Sequence, residues 1–129
     1  MIFWWYFYLV FIIHFLLIAP KNISVSQPYY KGKIITLIVG SNPGGGVDLN
    51  GRTMARFLGK YTPGKPRFIV KNFPGGRGLA ACNLLYQRGK TDGLPIAACG
   101  RSWPVAQVLS NPATKFDATK FEYIGSFGD

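Results

Sequence analysis

Asp48 closes a run of glycines, Gly44-Gly45-Gly46-Val47-Asp48, and is the only acid after residue 26 that lies beside a candidate pocket. A second glycine loop, Phe73-Pro74-Gly75-Gly76-Arg77-Gly78, repeats the theme further along the chain. Glycine turns with positive φ and leaves no Cβ between its backbone N–H and a ligand. A helix that follows such a loop adds its own first N–H groups, which lack intrahelical acceptors and sit at the positive end of the helix dipole. The chemistry on offer is anion binding, with two adjacent loops forming one cradle. The plainer reading of each loop is a tight turn between strand and helix, but its occurrence twice at the ligand-binding end of parallel strands favours the cradle. Asp48 has two compatible roles. It can offset the dipole in the first helical turn, or it can accept a hydrogen bond from a ligand hydroxyl, amine or protonated carboxyl.

Other chemistries fit less well. The sole histidine, His14, lies in the apolar N-terminal run, so the rest of the chain has no imidazole base and no Ser-His or Cys-His pairing. No catalytic residue is predicted, and the chain reads as a non-enzyme. Gly59-Lys60-Tyr61-Thr62-Pro63-Gly64-Lys65 has P-loop spacing, but Pro66 replaces the required Ser or Thr and the segment follows a helix pattern. Gly76-Arg77-Gly78-Leu79-Ala80-Ala81 matches a dinucleotide fingerprint, yet the next strand ends Ala98-Cys99-Gly100 with no ribose-binding acid. A nucleotide- or NAD-binding α/β enzyme fragment is therefore the alternative reading. Cys82 and Cys99 have no metal-ligand spacing; they can pair in an oxidising compartment or stay as buried thiols. No metal and no cofactor is predicted. The net charge of +10 draws anions in general, but the cations are scattered as on a solvated surface. The aromatics occupy core-like spacings rather than alternating with cations on one surface, so nucleic acid is not an expected partner.

The elements that must position the loops are legible from hydrophobic pattern. Residues 1–26 are a leader: a signal peptide cleaved after Ser24-Val25-Ser26, or an uncleaved membrane anchor, with no Lys or Arg before the apolar run. Either way the rest is exported to a periplasmic or extracytoplasmic space, a mis-assigned start being the one alternative without export. Residues 27–129 suffice for one small domain. Ile34–Val39 is a short β-branched run suited to a strand buried on both faces. Residues 47–61 form an amphipathic helix with Val47, Met54, Phe57, Leu58 and Tyr61 on one side, weakened by Gly51. The cycle repeats as a strand over 67–72, a helix over 79–88 with Leu84 and Leu85 inward, and a third strand over 94–100. A short helix is expected at 105–109, and 121–129 reads as a strand. Alternating strands and helices with short turns predict an α/β fold with a parallel sheet.

Taken in order, "IITLIVGSNPGGGVD", "RFIVKNFPGGRG", "TDGLPIAACG" and "FEYIGSFGD" resemble the opening of the substrate-binding receptors of tripartite tricarboxylate transporters, the Bug or TctC-like periplasmic proteins. The likeness runs from about Lys31 to the end. It implies a partial type II periplasmic-binding-protein lobe, truncated at the crossover to a second lobe, since such receptors run to roughly 300 residues in two domains. It implies capture of a small carboxylate and delivery to membrane permease subunits, with membrane contact only through the N-terminal segment if uncleaved. The ligand-binding residues it implies are Ser41, Asn42, Gly44, Gly45 and Gly46 in the first loop and Pro74, Gly75 and Gly76 in the second. Asp48 would take the ligand's far polar group. Arg77 departs from the small residue expected there, adding a cation to the pocket or partly filling it.

Overall fold

A computed structural model of the chain describes residues 26–126. The leader, apart from Ser26, and the last three residues lie outside the described residues. Among the described residues no helix is long and apolar enough to cross a membrane.

The chain runs β1 (Ile34–Val39), α1 (Gly46–Tyr61), β2 (Arg67–Asn72), a 3-10 turn (Gly76–Gly78), α2 (Leu79–Arg88), β3 (Pro95–Ala98), α3 (Trp103–Val108) and a second 3-10 turn (Ala118–Lys120). The three strands form a parallel sheet in the order β2-β1-β3. Parallel neighbours cannot be joined by a hairpin, so each connection is a crossover carrying a helix. This is the α/β class that the alternation of strand and helix patterns predicts.

Register places Leu37 between Val70 and Ile96, and Val39 beside Ala98. With period-two alternation these side chains share one face, where they form a core with Ala55 of α1 and the half-buried Val47, Met54 and Phe68. Leu37 and Val39 are fully buried, each worth about 2 kcal/mol of hydrophobic stabilisation. The opposite face carries Thr36, Ile38 and Pro95, which with Leu84 and Arg88 of α2 line an open cleft of about 320 Å³. The two helices therefore flank opposite sides of the sheet.

The face that α1 buries differs from the apolar stripe expected of it. Asp48, Gly51 and Ala55 are the buried residues, whereas Phe57 and Tyr61 stack on each other in solvent, 55% and 69% exposed. Gly51 explains the shift: a Cβ there would stand 3.0 Å from Val39 Cγ2, so the missing side chain lets α1 lie close on β1. Its cost in helix propensity is offset by that approach.

A second core lies beside α2. Leu79, Cys82 and Phe116 are its buried members, with Cys99, Trp103, Ala106 and Phe121 packed around them. Leu84 and Leu85 are only half-buried, because α2 turns Leu79, Ala81 and Cys82 inward instead. Trp103 meets Phe116 and Phe121 edge to face, with ring centroids 5.7 and 5.5 Å apart. This cluster accounts for two differences from expectation. α3 begins at Trp103 rather than Val105, with Pro104 in its first turn, where the missing N–H is harmless. Phe121 turns into the aromatic cluster, and the described part of 121–129 is not a strand; Tyr123 and Ile124 stay exposed. β3 is also shorter than expected, since beyond Ala98 the backbone leaves the sheet to pack on the second glycine loop.

Candidate functional site

Both glycine loops lie at the carboxyl ends of parallel strands, the first between β1 and α1 and the second between β2 and α2. They are tied together by one amide side chain. Asn72, the last residue of β2, donates through Nδ2 to the Ser41 carbonyl at 3.0 Å and to Asp48 Oδ1 at 2.7 Å. Phe73, next in line, donates its N–H to the Val39 carbonyl at 2.7 Å. The second loop thus starts from the side of the first.

Asp48 is the hub. It is buried to 1% exposure and accepts from the Gly44 N–H at 2.8 Å and from Arg52 Nε at 2.9 Å, both through Oδ2, besides the bond from Asn72. Arg52 closes the ring by donating to Asn72 Oδ1 at 3.0 Å. The Arg52 guanidinium first, then the Gly44 N–H and the Asn72 amide, hold the Asp48 carboxyl down at about 2, from an ordinary 3.8, against a burial effect that pushes the other way. The carboxylate is ionised and saturated by protein donors. It fixes the first loop and the start of α1. The i,i+4 spacing of Asp48 and Arg52 on one helix was the sequence signal for the pair. The contribution of Asn72, twenty-four residues away, had no such local sign.

Hydrogen bonding sorts the remaining candidates. In the first loop, Gly44 spends its N–H on Asp48, and Gly45 spends its own on the Asn42 carbonyl at 3.2 Å. The Ser41 hydroxyl also leans on that carbonyl, at 3.3 Å, while the Ser41 carbonyl serves Asn72. Ser41, Asn42, Gly44 and Gly45 therefore shape the loop. Among the described residues, no acceptor meets the N–H groups of Gly46, Val47 and Asp48, the first turn of α1, whose N-cap Gly45 has no side chain to supply one. The donors available to an anion sit one step further along the chain than the glycine count alone suggests.

In the second loop, Gly75, Gly76 and Arg77 likewise have N–H groups without an acceptor among the described residues. Their φ values are 139°, 54° and 54°, with Gly78 at 95°. This left-handed run is easy for glycine and strained for Arg77. Pro74 has no N–H to give and bends the chain into the loop. Arg77 is exposed. The loop is seated by close backbone contact. A Cβ on Gly78 would come 2.6 Å from the Gly100 nitrogen, and one on Gly40 would come 2.7 Å from the Gly78 Cα.

The second loop has the position a dinucleotide loop would take, after a strand and opening a helix, but β3 ends in Ala98 and Cys99 is bonded to Cys82. No group of three or more His, Cys, Asp or Glu placed to hold a metal occurs among the described residues. Comparison with family models, curated proteins and solved structures found no match to this chain.

Proposed function

We propose that this chain is part of the first lobe of an extracytoplasmic solute-binding receptor that captures a small carboxylate for a tripartite tricarboxylate-type transporter. The observation that carries the reading is the Asn72 bridge, which holds two glycine loops side by side at the ligand-binding end of a parallel sheet. In this reading the ligand carboxylate takes the free N–H groups of Gly46, Val47 and Asp48 on one side and of Gly75, Gly76 and Arg77 on the other. Charge-assisted bonds to backbone N–H groups suit a carboxylate, and an exposed Arg77 adds a cation at the rim. The buried Asp48 carboxylate, paired with the half-exposed Arg52 guanidinium, pre-forms the cradle, so little ordering is left for binding to supply. The resemblance in sequence supports the same assignment, with type II lobe architecture, permease subunits as partners and export by residues 1–26 included in the proposal. No enzymatic step is part of it.

Calorimetric titration of the purified chain with citrate and, separately, with ADP tests it. Saturable heat with citrate and none with ADP is expected. Heat with ADP alone would replace the receptor reading by a nucleotide-binding one.

A further inference from the structure

We propose that the Cys82–Cys99 disulfide is a redox-sensitive clamp on the second glycine loop, so that its reduction loosens the loop and weakens anion capture. The part concerning capture rests on the carboxylate reading above; the part concerning the loop does not. The disulfide joins α2 to the residue just after β3, across a separation of 17 residues. Its two ends flank the place where the loop is seated. Cys82 lies one helical turn beyond Gly78, and Cys99 directly precedes Gly100, whose nitrogen is 2.6 Å from the Cβ position of Gly78. A Cβ on Gly100 would in turn stand 2.7 Å from the Arg77 carbonyl oxygen. Backbone meets backbone there with no side chain between, and the disulfide is the covalent tie across the contact.

The loop needs holding. Gly76, Arg77 and Gly78 all have positive φ, and a non-glycine residue persists in that region only where its surroundings over-determine it. The first loop, by contrast, is held by the Asp48 network, to which neither cysteine contributes. Reduction should therefore act on one loop and spare the other.

The chemistry is thiol–disulfide exchange with a small dithiol such as dithiothreitol. Cys82 is 3% exposed and Cys99 is half-buried, so the attacking thiolate reaches the Cys99 sulfur first. A mixed disulfide forms there and Cys82 leaves as thiolate, to be protonated. The reagent's second thiol then displaces Cys99. Two electrons and two protons pass to the protein as two thiols, and the reagent closes to its cyclic disulfide.

Hydrogen exchange by mass spectrometry on the full chain, oxidised and after dithiothreitol with both thiols titrated, gives the test, alongside citrate titration of both forms. On reduction, exchange over residues 73–81 is expected to rise about tenfold while residues 41–48 stay unchanged. Citrate affinity is expected to weaken about fivefold, a usual size for coupling between a locally ordered segment and a ligand. Unchanged exchange over 73–81, or an equal rise over 41–48, would overturn the clamp. If the oxidised chain binds no citrate, the receptor reading fails and the exchange pattern alone decides the clamp. If reduction unfolds the chain, the Cys82→Ala/Cys99→Val double variant, which refills the apolar space, is measured by the same criteria. Unfolding of that variant as well would sink the proposal, because the disulfide would then hold the whole fold.

Discussion

The first glycine loop is held by charge and hydrogen bonds radiating from one buried carboxylate, whereas the second is held by glycines pressed against neighbouring backbone with a disulfide alongside. The difference follows from what each strand end offers. β2 ends in Asn72, whose amide can reach both Ser41 and Asp48, so the first loop sits within range of donors and acceptors. β3 ends in Ala98 and is followed by Cys99 and Gly100, none of which offers a polar side chain, so the second loop is seated by shape. A polar seat is sensitive to protonation and a steric one to any added atom. Two neighbouring loops with similar composition should therefore fail under different perturbations.

The largest effect is expected from Gly78→Ala. The new Cβ would clash with the Gly100 nitrogen at 2.6 Å, in a residue at φ 95°. Strain and overpacking together cost about 3–4 kcal/mol, readable as a lower urea midpoint. Gly44→Ala is the matched control in the first loop: also at positive φ, but with nothing within 4 Å of its Cβ position. It should cost only the backbone strain, about 1–2 kcal/mol. Equal losses would erase the distinction between the loops.

Next comes the Cys82→Ser/Cys99→Ser variant. For a crosslink spanning 17 residues, the chain-entropy estimate is a loss of about 3 kcal/mol. Thermal melts of variant and oxidised parent measure it.

Asp48→Asn removes the charge from the first loop's hub and should lower the melting temperature, with faster exchange at 41–48 and little change at 73–81. The matching pH effect follows from linkage. The folded Asp48 carboxyl is lowered to about 2 from 3.8, so its contribution is fully present above the unfolded value and is lost as pH falls through about 2. Melts across that acid range should show a decline in the parent that is smaller in Asp48→Asn.

The smallest effect has the opposite sign. Arg77 sits at φ 54°, and Arg77→Gly relieves that strain at some cost in unfolded-chain entropy. A net gain of up to about 1 kcal/mol is expected, with rim charge lost and citrate binding modestly weaker.

Much of the scaffold could be read from residue order. The strands at Ile34–Val39 and Arg67–Asn72 and the helix at Leu79–Arg88 fall where hydrophobic runs and glycine breaks place them. These signals are local: a β-branched run bounded by glycine needs no knowledge of its neighbours. What stayed hidden depends on tertiary contact. Phe57 and Tyr61 keep helical spacing but face solvent, because Gly51 and Ala55 let α1 press closer on its other side. Phe121 joins an aromatic cluster with nearby Phe116 and with Trp103 of α3, farther back in the chain, so its segment does not extend as a strand. At the site, both loops were legible as glycine-rich turns after strands. The saturation of Asp48 was not, since a carboxylate in a first helical turn looks the same on paper whether it meets solvent, a ligand or the Asn72 amide.

An amide-resolved NMR titration of the purified full chain with citrate bears most directly on the claim that the two loops form one anion cradle. Shifts that saturate together and concentrate on the N–H groups of Gly46, Val47, Asp48, Gly75, Gly76 and Arg77 are the predicted result. Shifts spread over the scattered lysines and arginines, or confined to one loop, would contradict it.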